Sequence, residues 1–132
     1  MRHLPTVAGI VLGLLFVMAG VVVLFGLVDA PPPPEGTPQA MFMTAMATTG
    51  YLTFVKVLEI LGGVLVAIPR TRNLGLLVLG PIIVNILATH VFLMRGEGLL
   101  NPMLIVICLL AAWLLWVERR AFAGLVTRSG AR

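Results

Sequence analysis

The chain has 132 residues, 60% of them hydrophobic and 11% charged, with a mean hydropathy of +1.11. A soluble domain carries about 25% charged residues, so composition excludes a water-soluble globule and leaves an integral membrane protein. The net charge of +4 does not indicate nucleic-acid binding, because the basic residues sit in short stretches between apolar runs and form no continuous face.

Four apolar runs are long enough to cross a bilayer, which needs roughly 17–25 helical residues. The first, Leu4 to Val28, contains no charge. Val28-Asp29-Ala30 faintly resembles a signal-peptide cleavage site, but the run far exceeds the usual signal core of about 7–15 residues and Pro31 follows at once, so it is read as a permanent span. Within it, Gly9-x-x-x-Gly13 puts two glycines on one helix face. They could form a homo-oligomer seam or a close contact with another span of the same chain. Residues 29–50 form an outer loop that opens with Pro31-Pro32-Pro33-Pro34, a stiff extended spacer. From Gln39 to Gly50 the loop turns mildly apolar, with Met41, Phe42, Met43 and Met46, and is expected to lie at the interface as a partial helix.

The second span, Tyr51 to Ile68, holds Lys56 and Glu59. A charge at the centre of a membrane helix costs roughly 2.5–3.5 kcal/mol on insertion scales, so such residues are usually paired and often functional. Pro69 stops this helix, and Pro69-Arg70-Thr71-Arg72-Asn73 makes an inner turn. The third span, Leu74 to Met94, carries Pro81, where a kink is expected, together with Asn85 and His90. Gly96-Glu97-Gly98 is an outer turn, and the fourth span runs from Leu99 to Val117. Trp113 and Trp116 near its inner end suit interfacial anchoring, and a basic tail follows over residues 118–132. Arg2, Arg70, Arg72, Arg119, Arg120, Arg128 and Arg132 fall on one side of this arrangement and Arg95 alone on the other. The asymmetry puts both termini in the cytoplasm. The expected fold is therefore all-α: one domain over residues 1–132, an up-down-up-down four-helix bundle in the inner membrane.

At about 1.5 Å per residue, Lys56 lies about 7–8 Å and Glu59 about 12 Å below the outer end of span two. His90 lies about 6 Å and Asn85 about 13 Å below the outer end of span three. Spans two and three are joined by a tight turn and so should be neighbours. Lys56, Glu59, Asn85 and His90 are thus expected to line a ligand-binding pocket in the outer half of the bundle, rimmed by Tyr51, Arg95 and Asn101. A carboxylate and an imidazole near water can pass protons, and a quinone headgroup, which needs donors to two carbonyls inside an apolar cavity, suits such a pocket. The competing reading is structural: Lys56 and Glu59 neutralise each other, Asn85 bonds between helices, and Lys56 snorkels to the headgroups.

Other chemistries are disfavoured. Cys108 is the single cysteine, so there is no CxxC and no intrachain disulfide. His3 and His90 sit at opposite faces and cannot share a haem, and no Walker motif or nucleophile triad is present. Met41, Met43 and Met46, with His90 and Met94 nearby, raise a soft-metal option because thioethers suit Cu(I). Methionines in an interfacial segment more often contact lipid or neighbouring helices, so no metal is expected.

The stretch Lys56-Val57-Leu58-Glu59-Ile60-Leu61-Gly62-Gly63, followed by Arg70-Thr71-Arg72 and then His90, resembles the DoxX family of small four-helix membrane proteins, with similarity from about Gly9 to Trp116. The resemblance implies a bacterial-type cytoplasmic membrane protein linked to quinone-dependent oxidoreductase assemblies, among them thiosulfate:quinone oxidoreductase, or to oxidative-stress systems. It also makes Glu59 and His90 the family's intramembrane polar positions. The expected function is a subunit that binds a small apolar or quinone-like molecule and supports a redox partner protein, with no cofactor of its own. The alternatives are a structural or assembly protein and a small transporter, the last opposed by the lack of a polar stripe in the inner half.

Overall fold

Where water is excluded, backbone N–H and C=O groups must be satisfied within the segment, which favours helix along long apolar runs. The computed structural model describes residues 3–29 and 31–127, and over them the chain has six α-helices and no β-strand. Arg2, Arg128 and Arg132 of the basic asymmetry, and Ala30 of the considered cleavage site, lie outside the described residues.

Helix α1 (His3–Leu24) ends in a left-handed glycine turn. Gly26 has φ +61°, its N–H bonds to the Val23 carbonyl, and the Leu27 N–H reaches back to Val22 at 2.9 Å, the paired bonds of a Schellman stop. The proline run follows. Helix α2 (Pro38–Thr49) begins at Thr37, whose side chain accepts from the Ala40 N–H at 3.2 Å, with Pro38 in the first turn. The expected partial helix is thus a full element of 12 residues. Gly50, at φ +83°, ends α2, and α3 (Tyr51–Ala67) leaves at a bend of 83°.

Pro69 stops α3, and a short 3-10 turn (Pro69–Thr71) leads into α4 (Arg72–Ala88). The Thr71 hydroxyl closes that corner by donating to the Leu65 carbonyl at 2.7 Å. Pro81 lies inside α4, which continues to Ala88. The change of helical register comes later, in a π turn at Thr89–Leu93 that is closed by the Met94 N–H on the Thr89 carbonyl. Helix α5 (Pro102–Val117) is capped by the Asn101 side chain, and α6 (Arg119–Val126) departs from it at 72°.

α1 packs on α3, α3 on α4, and α5 meets both α1 and α4. Leu12, Phe16, Val66, Leu79 and Leu114 are fully buried where these helices converge. The glycine pair of α1 serves contact within the chain: a Cβ on Gly9 would come within 2.7 Å of the Val66 carbonyl oxygen, and one on Gly13 would overlap the Gly63 carbonyl. Many large apolar side chains, including Phe92, Leu109 and Val84, stay on the outside, a surface matched to hydrocarbon.

α1 and the helical run Pro69–Leu93 are each long and apolar enough to cross a membrane. α3 and α5, with 17 and 16 residues, are about 25 Å and 24 Å long, short of a hydrocarbon core of about 30 Å. They qualify only if α2 with α3, and α5 with α6, each count as one bent span. The described residues therefore hold two to four candidate spans, where hydropathy alone gave four.

Candidate functional site

A cavity of about 580 Å³ opens between α2, α3 and the C-terminal half of α4 with the π turn that follows it. Lys56 and Glu59 reach it from α3, Asn85 from α4 and His90 from the π turn, so all four residues expected to form a pocket line one space. Tyr51 lines it as well. The remaining wall is apolar apart from Gln39 and Thr89.

Glu59 is almost sealed, its side chain only 4% exposed, and its Oε2 pairs with Lys56 Nζ at 2.9 Å; Lys56 is 18% exposed. The two residues are one helical turn apart, so the pairing needs only their i, i+3 spacing. On the facing element, His90 Nδ1 lies 2.8 Å from the Ile86 carbonyl oxygen. A carbonyl can only accept, so Nδ1 carries the proton and Nε2 of the neutral ring keeps its lone pair. The Thr89 hydroxyl is engaged by the Asn85 carbonyl at 2.9 Å. The arrangement offers a neutralised ammonium–carboxylate pair, a side-chain amide and an imidazole nitrogen to whatever enters an otherwise apolar space.

Two of the expected rim residues are elsewhere. Arg95 adopts a left-handed conformation (φ +53°) in the turn after the π segment and does not line the cavity. Asn101 is occupied as the cap of α5, accepting from the Met103 N–H at 2.9 Å. A residue just before a proline-led helix is favoured as its cap, and that local use took precedence over the pocket.

The sequence did not reveal the contribution of α2, which supplies Gln39, Phe42, Met43 and Met46 to the wall. Thr37-Pro38 as a helix start and Gly50 as a stop were the available signals. Met41 faces away, in a shallow groove with Glu35 and Thr44. A second polar centre, at the opposite end of the helices, was also missed. Arg72, expected as a loop charge, opens α4 and is only 6% exposed. Its Nη1 lies 3.7 Å from Glu118 Oε1, its Nη2 donates to Thr6 Oγ1 at 3.4 Å, and its Nε is buried without a partner. It ties α1, α4 and the α5–α6 corner together.

No family model matches the chain, and no solved structure matches it. Over 75 residues, 57% of its length, the chain is 43% identical to the uncharacterized protein YwoB of Bacillus subtilis (strain 168). The match spans 47% of that relative, about half its length.

Proposed function

We propose that this chain is a DoxX-like membrane protein that binds a small apolar, quinone-like molecule in the cavity between α2, α3 and α4. In this reading α1, α3, α4 and α5 form an up-down-up-down bundle in the inner membrane, both termini face the cytoplasm, and the cavity opens towards the outer side. The carrying observation is the convergence of Lys56, Glu59, Asn85 and His90 on one cavity with otherwise largely apolar walls. Its volume of about 580 Å³ falls within the roughly 300–1,000 Å³ of small-molecule sites. A quinone offers two carbonyl oxygens on an apolar ring. Lys56 and the Asn85 amide supply donors to such oxygens, while Glu59 and His90 would handle the protons of a redox partner's chemistry. The protein would serve that partner as a binding subunit and carry no cofactor of its own.

Titration of a short-chain ubiquinone analogue into the full-length protein in lipid nanodiscs tests the reading. Glu59→Gln removes, at nearly constant volume, the carboxylate that holds the Lys56 ammonium in place, and losing that oriented charge-assisted donor is expected to weaken quinone binding by about tenfold. Unchanged affinity in a folded variant would reject the proposal. The 2.9 Å contact between Lys56 and Glu59 favours one alternative, a bundle locked internally by its own ion pair. That reading expects Glu59→Ala to lower thermal stability in detergent with no quinone bound by the parent protein.

A further inference from the structure

Three of the seven methionines of the chain, Met43, Met46 and Met94, line the cavity together with His90. Met43 and Met46 are three residues apart on α2, hence on one helix face. His90 and Met94 are four apart across a π turn, whose bonds span five residues, so they too lie on one side. α2 packs against this π turn, which sets the two pairs on opposing walls of one space. A Cβ built on Gly98 would sit 3.0 Å from His90 Cδ2, 3.3 Å from its Nε2 and 3.9 Å from the Met94 methyl, so the edge of the imidazole and the Met94 side chain meet beside a glycine that leaves them room.

The ring is prepared for ligation. Metal-bound histidines commonly donate their other N–H to a carbonyl or carboxylate, which fixes the tautomer, and the bond from His90 Nδ1 to Ile86 does this. Among the described residues no three His, Cys, Asp or Glu side chains cluster to hold a metal, so the hard and borderline ions that need such donors are not the match. Thioethers with one imidazole select a soft monovalent ion. The nearby Lys56 ammonium is neutralised by Glu59 at 2.9 Å, so a single positive charge can enter without facing an unpaired cation.

We propose that Met43, Met46, Met94 and His90 form a Cu(I) site in this cavity. The site needs no organic ligand and stands apart from the quinone-like reading. The test uses the full-length protein carrying Cys108→Ser, which removes its one thiol, in detergent micelles without oxygen. Cu(I) is titrated against a chromophoric Cu(I) chelator, and the bound ion is characterised by X-ray absorption at the copper edge. One Cu(I) per chain is expected, with both sulfur and imidazole scattering. The near-isosteric pair Met43→Leu/Met46→Leu should lower affinity by at least about tenfold, with the helical circular dichroism and melting temperature of the parent. If that pair does not fold, Met94→Leu reads the same quantity from the other wall. Asn85→Leu, which removes a proposed quinone donor but changes no charge and none of the four ligands, should bind Cu(I) like the parent, which separates loss of this site from loss of quinone binding. Failure to compete with the chelator, coordination without sulfur, or methionine variants that hold Cu(I) as tightly as the parent would overturn the proposal.

Discussion

Glu59 has only one ion-pair partner among the described residues, and at 4% exposure it has little water to fall back on. Removing one member of a buried pair leaves the other uncompensated, at a cost of roughly 3–5 kcal/mol, whereas replacing both by neutral groups is often close to harmless. Lys56 retains some exposure, so Lys56→Met alone should destabilise the protein by about 2–4 kcal/mol. The double variant Lys56→Met/Glu59→Gln should regain most of that loss. Thermal unfolding of the three proteins in one detergent gives the coupling; a Lys56→Met variant that melts with the parent would mean that the Lys56–Glu59 contact does not stabilise the fold. Arg72 is tied differently. Its contacts at 3.7 Å and 3.4 Å reach two separate elements, so it acts as a link between helices more than as half of a tight pair. The Lys56–Glu59 contact was legible in the sequence because its partners share one helical turn. The Arg72–Glu118 contact was not, because nothing local marks two residues brought together only when α4 packs against the end of α5.

Helix packing rests on backbone approach where α1 crosses α3. Each of Gly13 and Gly63 fills the position where the other helix carries its backbone, so there is no room for a methyl and no flexible side chain to yield. Gly13→Ala must push the helices apart, and the expected loss is about 1–3 kcal/mol, the range for overpacked interiors. Gly124 in α6 has nothing within 4 Å of its missing Cβ. Gly124→Ala should be neutral or slightly stabilising, by about 0.5–1 kcal/mol, and it makes the control in the same melting experiment. Equal effects of the two substitutions would exclude the glycine crossing as a source of stability. The long apolar runs made α1, α3, α4 and α5 readable, and proline and glycine marked most of their ends. The π turn at Thr89–Leu93 had no such signal, because a shift of hydrogen bonding from four to five residues carries no composition of its own. Pro81 drew attention instead, and α4 passes through it.

The described residues set an apolar exterior around two polar centres, one at the cavity between α2, α3 and α4 and one at Arg72. Its relation to the membrane turns on whether the bent pairs α2–α3 and α5–α6 each act as one span. Four crossings would leave Arg70, Arg72, Arg119 and Arg120 on one side and Arg95 on the other, as the positive-inside rule favours. α6 would then lie along the inner surface, with Arg119 stacked 4.3 Å from the Trp116 ring and donating to the Trp116 carbonyl at 2.7 Å. Two crossings, by α1 and the Pro69–Leu93 run alone, would instead put Arg70 on the side of the proline loop and Glu97 on the side of α6. Single cysteines at Glu35, Arg70, Glu97 and Gly124, all exposed positions, in a Cys108→Ser background distinguish the two arrangements. In intact cells a membrane-impermeant maleimide should label Glu35→Cys and Glu97→Cys, and should reach Arg70→Cys and Gly124→Cys only after permeabilisation. Exchange of the Arg70 and Glu97 results would reduce the protein to two crossings. A cavity walled by Lys56 and Glu59 would then belong to a helix outside the hydrocarbon, where a charged pair needs no functional explanation.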